Sequence, residues 1–128
     1  MISKKLNSNI FIPEKSWVGV VTELKLNNNC DKLESSLYDY IINIINFEEN
    51  SIQVSISYKR ISDSKFQKEF ANLYIFEDGS IKGQDMNGFL DGKIIEKNDQ
   101  KIMEICYRSL DRNKKFMLSY YGQLKFKG

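Results

Sequence analysis

Ile52-Gln53-Val54-Ser55-Ile56-Ser57-Tyr58-Lys59-Arg60 is the stretch that decides the fold. Ile52, Val54, Ile56 and Tyr58 fall on every second residue, with Gln53, Ser55, Ser57 and Lys59 between them. Successive side chains of a strand point to opposite faces, so this run predicts a strand with one dry face and one wet face. Strands of that kind belong to antiparallel sheets.

The same period extends in both directions. Upstream, Leu37 to Glu48 is β-branched and aromatic and meets the first strand at a Glu49-Asn50 turn. Ser16 to Leu24 (SWVGVVTEL) precedes it, separated by a polar loop from Asn27 to Glu34. Within Cys30 to Tyr40, Leu33 and Leu37 are four apart, a spacing that allows one helical turn. Downstream, Phe66 to Glu77 runs into Asp78-Gly79, a hairpin signal, and Ile81 to Asp85 runs into Asn87-Gly88, a second one. Phe89 to Glu96, Lys101 to Arg108 and Lys115 to Phe126 complete the series, with turns at Asn98-Asp99 and Leu110 to Asn113.

The total is eight strands with mostly short connections, which forces neighbours to be antiparallel. An open meander leaves two edges exposed, and closure removes them. The predicted fold is therefore all-β, an eight-stranded antiparallel up-and-down barrel, with a two-sheet β-sandwich as the alternative. Residues 1–15 form an N-terminal extension and 16–128 a single barrel domain. Ile10, Phe11 and Ile12 in the extension could plug a barrel end or pack on a partner. Gly19 and Gly122, in the first and last strands, would become neighbours on closure, where they allow close backbone approach.

The bulk numbers bound the function. The chain has 128 residues, 41% hydrophobic and 28% charged, with a formal net charge of +2. That balance suits one globular domain and lacks the basic excess of a nucleic-acid binder. The densest basic stretch, Arg112, Lys114 and Lys115 followed by Lys125 and Lys127, reads as a solvated turn and tail. There is no histidine, which removes the commonest general base and transition-metal ligand. Cys30 and Cys106 are too few and too far apart for a disulfide scaffold. Cys30 sits in a polar loop and reads as exposed, and Cys106 reads as a structural thiol without a base to activate it. The start MISKKLNSNIFIPEKSW lacks the apolar core of a secretory signal, and no stretch approaches the ~20 apolar residues of a membrane span. The expected address is cytoplasmic, with no membrane or nucleic-acid partner.

Three short motifs carry a resemblance. Trp17-Val18-Gly19 opens the first strand, Gly83-Gln84-Asp85-Met86-Asn87-Gly88-Phe89 spans the central hairpin, and Tyr120-Tyr121-Gly122-Gln123-Leu124 lies in the last strand. From about Ser16 onward this order resembles the small lipocalin-like and avidin-like barrels of the calycin group, in an uncharacterised bacterial branch. The resemblance implies a β-barrel that holds a ligand. It names no ligand: lipocalins place Gly two residues before the Trp, whereas Gly19 follows Trp17 by two. Haem-binding barrels of this shape use a His, and biotin-binding ones carry several Trp where this chain has one.

A barrel binds at its interior or open end. Trp17, Tyr40, Tyr58, Tyr74, Tyr107 and Tyr120 come from six predicted strands and are the candidate ligand-binding aromatics; aromatics at such positions also serve as plain core. Arg108 joins them if its face points inward, where it would need an anionic partner. The other phase fits Met103, Ile105 and Tyr107 better as core and turns Ile102, Glu104, Cys106 and Arg108 to solvent. Asp85 and Asp91 flank the central hairpin, but they and Asp78-Gly79-Ser80 lack the ligand series of a calcium loop and read as turn formers. No nucleophile-with-base set and no phosphate loop occurs, so no catalytic residue, metal or cofactor is assigned. The expectation is a non-catalytic binding module for a small apolar or amphipathic ligand. The alternative is a protein-interaction module, such as an immunity or inhibitor protein or a homodimer. Tyr, Asp, Glu, Lys and Arg leave room for an enzyme that works without His.

Overall fold

The computed structural model describes residues 15–26, 33–49, 51–84, 88–109 and 117–127. Eight strands follow in order: β1 Ser16–Leu26, β2 Leu33–Glu48, β3 Ser51–Arg60, β4 Gln67–Ile75, β5 Ser80–Gln84, β6 Gly88–Lys97, β7 Gln100–Ser109 and β8 Met117–Lys127. Each pairs antiparallel with the next, and β8 returns to β1, so the sheet is a closed barrel rather than a sandwich. The closing seam runs along all of β1, from Ser16↔Lys127 to Leu26↔Met117.

The period-two pattern sets which side chains go inside. On β3, Ile52, Val54 and Ile56 are buried, as the alternation predicts. Ile52 pairs with Leu73 on β4, and Val54 pairs with Ile44 on β2, so apolar faces meet across each ladder. Trp17, Ile42, Ile81, Met103 and Leu124 are fully buried. Burying one such aliphatic side chain contributes about 1.5–3 kcal/mol.

Local chemistry terminates the strands where turns were expected. Gly79 takes φ +86, a left-handed value that glycine adopts without strain. Asp78 fixes the same turn: its Oδ1 accepts from the Ser80 N–H at 2.9 Å and from the Ser80 hydroxyl at 2.6 Å. Asn98 and Asp99 both have positive φ, 54 and 62, the backbone of a tight two-residue hairpin.

Three sequence expectations change, and β2 carries a bulge besides. The stretch from Leu33 to Tyr40 is strand, and Leu33 and Leu37 are exposed on its outer face, because β2 pairs with β1 down to Leu26↔Leu33. In β2 the register shifts between Ile44 and Asn46, leaving Ile45 unpaired. That bulge turns Phe47 inward against the core, opposite Ile52. Ile102 is on the outer phase of β7, yet only 7% exposed, opposite Ile95 and Lys125. Gly19 and Gly122 are not cross-strand partners: Gly19 faces Leu124, and Gly122 faces Val21. The close approach itself is present, since a Cβ on Gly122 would lie 2.7 Å from the Val20 carbonyl oxygen. The expectations for Ile10, Phe11, Ile12, Cys30, Asp85, Arg112, Lys114 and Lys115 lie outside the described residues. Of the N-terminal extension only Lys15 is described; its carbonyl accepts the Ile44 N–H at 3.0 Å.

Candidate functional site

The two ends of the barrel differ in chemistry. One is filled by Trp17, Ile42, Ile44, Ile75, Ile94 and Leu124, all buried. The Trp17 ring packs on Phe126 there with centroids 5.3 Å apart. The other end collects tyrosines, and the strand registers explain why. Tyr107 lies opposite Tyr120, and Tyr120 lies opposite Glu23. Tyr40 lies opposite Tyr58, and Tyr38 lies opposite Arg60. Five strands supply these residues, and because they are antiparallel the C-terminal halves of β1, β3 and β7 meet the N-terminal halves of β2 and β8 at one mouth.

The rings form a continuous belt. Tyr107 and Tyr120 are 6.2 Å apart, and Tyr120 meets Tyr38 edge to face at 5.4 Å and 89°. Tyr38 to Tyr58 is 6.3 Å, and Tyr58 stacks on Tyr40 at 6.5 Å. Contacts of this geometry are worth about 0.5–1.5 kcal/mol each beyond area burial. Tyr40 is 6% exposed and forms the inner edge of the belt; Tyr38, Tyr58, Tyr107 and Tyr120 are partly buried against the core. The Tyr58 hydroxyl stands 3.2 Å from both Gln67 Oε1 and Glu69 Oε1, and it donates to one of them.

Charge is embedded in this belt. Glu23 points inward on β1 and is only 6% exposed. The Tyr120 hydroxyl donates to its carboxylate. Burial, and then that bond to Glu23, push the Tyr120 hydroxyl well above the usual phenol range. Arg60 lies at the rim with its guanidinium 5.7 Å from the Tyr38 ring centre and its Nη2 3.5 Å from the Tyr38 hydroxyl. The hydroxyl contact with Tyr38 raises the Arg60 pKa, with a smaller contribution from the charge of Glu23.

Of the seven candidates read from the sequence, Tyr40, Tyr58, Tyr107 and Tyr120 come together in this belt. Trp17 is buried at the opposite end. Tyr74 and Arg108 lie outside the barrel, and strand phase is the reason. Leu73 and Ile75 take the inner face of β4, which turns Tyr74 out to 51% exposure. It borders an open outer depression with Glu48, Glu49 and Ser51. Met103, Ile105 and Tyr107 take the inner face of β7, which turns out Arg108, its side chain 68% exposed and 3.9 Å from Asp91. Asp91 also pairs with Lys82 at 3.2 Å, so it is a member of an outer-face ion network. Exposed pairs of this kind contribute about 0–1 kcal/mol. Cys106 is on the same face, half-buried, opposite Asp91 and Tyr121.

Sequence reasoning did not single out Glu23, Tyr38, Arg60 or Glu69. Tyr38 shares the phase of Tyr40 and was open to it. Glu23 shares the phase of Trp17 and Val21, but Val18 and Val20 are equally apolar, so the phase of β1 is ambiguous from the sequence alone.

No protein-family model matches the chain. A search of curated proteins also finds no match. Among solved structures the chain is similar to a protein of unknown function from Bacteroides ovatus, with a TM-score of 0.57 and 16% identity. The likeness covers 88% of this chain and 41% of that one, so this chain spans less than half of its neighbour's length. At that identity the similarity is one of fold.

Proposed function

We propose that this chain is a non-catalytic binding module of calycin-like type that holds a small apolar or amphipathic ligand at the tyrosine end of its barrel. The observation that carries the reading is the convergence of Tyr38, Tyr58, Tyr107 and Tyr120 around the buried Glu23 at one mouth, while the other end is filled by apolar side chains around Trp17. Apolar walls with a few placed polar groups are the usual make-up of a ligand site. Phenol rings combine an apolar body with a polar tip, which suits an amphipathic ligand.

The outer face supports a water-facing protein. Lys68, Lys82, Lys93 and Glu104 are exposed there, a charge pattern unlike the apolar band of a membrane barrel. We place the module in the cytoplasm, in keeping with its sparse cysteines. Native mass spectrometry of protein purified from its own host, compared with the denatured spectrum, tests the reading. It predicts a bound small molecule that Tyr74→Ala retains and Tyr107→Ala loses. A bare protein mass that stays bare after incubation with host metabolite and lipid extracts refutes it.

A second reading rests on a different surface. Phe66, just before β4, and Phe70 and Tyr74 on its outer side are 48%, 68% and 51% exposed. Exposed aromatics gathered in this way favour protein contact. On that reading the chain caps a protein partner, as an immunity or inhibitor protein does, or pairs with itself. A monomer by light scattering that captures no partner through β4 counts against it.

A further inference from the structure

We propose that the ligand of the tyrosine mouth is an organic cation, an ammonium group on an apolar body, with the ammonium set against Glu23. This rests on the binding reading above and adds the sign of the ligand's charge.

The argument begins with what Glu23 lacks. An ionised carboxylate that is 94% out of water by exposure (6% exposed) needs compensation from hydrogen bonds or an opposite charge. Among the described residues it has one bond, from the Tyr120 hydroxyl, and no ion pair. A carboxylate can accept several hydrogen bonds, so much of its capacity is unused. Arg60 is near enough for its charge to be felt, but its guanidinium is engaged at the rim on Tyr38. Glu69 adds a second carboxylate beside Tyr58. Lys25 and Glu34 face each other across the β1–β2 ladder on the same inward phase, so the described groups of the mouth count three carboxylates, Glu23, Glu34 and Glu69, against two cations, Lys25 and Arg60.

The walls match a cation as well. The face of an aromatic ring is its negative pole, and rings grouped around a carboxylate are the arrangement that recognises ammonium ions. Arg60 over Tyr38 is a cation already held on one of these ring faces. An anionic ligand would instead meet Glu23 and Glu69, and a neutral one would leave Glu23 with its single bond.

Three probes with one common tail and different heads decide this by calorimetric titration of the full chain: octyltrimethylammonium, octyl glucoside and octyl sulfate. The expected result is that the cationic probe binds at least about tenfold more tightly than the neutral one, and that Glu23→Gln reduces that preference to about twofold or less. Arg60→Met removes a competing cation and is expected to tighten binding of octyltrimethylammonium. Equal binding of cationic and neutral probes overturns the cation inference and leaves the binding module standing. Tightest binding of octyl sulfate overturns it too, and makes Arg60 the anchor. If none of the three binds, both readings fall. If Glu23→Gln does not fold, Arg60→Met still decides, since weaker binding of the cationic probe overturns the proposal.

Discussion

Tyr120→Phe removes one hydroxyl and thereby tests how Glu23 is kept inside the barrel. Glu23 is 6% exposed, and the lost donor is the Tyr120 hydroxyl that bonds to it. Hydrogen bonds to charged groups contribute about 1.5–3 kcal/mol. Tyr120 is only half-buried at the mouth, so water partly replaces its hydroxyl and the lower part of that range applies, about 1.5–2 kcal/mol. In a Glu23→Gln background the same change removes a bond between neutral groups, worth about 0.5–1 kcal/mol. The double-mutant cycle therefore predicts a coupling of about 1 kcal/mol, read from urea unfolding of the four proteins at neutral pH. Tyrosinate absorbance gives a second reading. The Tyr120 pKa is raised, so the stability it contributes is complete below the ordinary phenol value of about 10 and is lost as pH climbs beyond it. In the wild type Tyr120 stays un-ionised while exposed tyrosines titrate, and Glu23→Gln lowers its pKa toward theirs. A coupling below about 0.3 kcal/mol, with Tyr120 titrating alongside exposed tyrosines, would refute the claim that the two groups are bonded inside the barrel.

Further outcomes follow from other parts of the molecule. Gly122→Ala places a methyl group 2.7 Å from the Val20 carbonyl oxygen and is expected to destabilise the β1–β8 seam by about 1–3 kcal/mol, seen as a lower urea midpoint. Asp78 has a lowered pKa, chiefly from its bond with the Ser80 hydroxyl, so its contribution is present above the ordinary carboxylate range and is lost as pH falls through its folded value. The wild type should accordingly lose more stability on acidification than Asp78→Ala, and equal losses would remove Asp78 from the turn. Arg108→Ala and Tyr74→Ala alter the outer face only; each should change stability by about 0.5 kcal/mol or less and leave ligand binding at the mouth unchanged in calorimetry.

The sequence carried the barrel well because its signals were local. Alternation in Ile52 to Tyr58, and turn residues at Asp78-Gly79 and Asn98-Asp99, are physical requirements of the strands and hairpins that form. The site was legible where phase was unambiguous. Tyr58 alternates with Ile52, Val54 and Ile56, and Tyr107 with Met103 and Ile105, and all of these side chains turn inward. Tyr74 failed this test because Leu73 and Ile75 flank it and claim the inner face. Glu23 was hidden because β1 is apolar in both phases, and its pairing with both neighbours, Trp17 opposite Ile42 on β2 and Glu23 opposite Tyr120 on β8, decides which face of β1 is inside. The bulge at Ile45 was equally hidden, since its register depends on β3 and not on the run of isoleucines around it.

The most direct test of the account is a nitrogen–proton correlation titration of the full chain with octyltrimethylammonium. The account predicts shifts confined to the tyrosine end, at Glu23, Tyr38, Tyr58, Tyr107 and Tyr120, with Trp17, Ile42 and Phe126 at the opposite end unmoved. Shifts clustered on Phe70 and Tyr74 outside the barrel, or none at all, would contradict it.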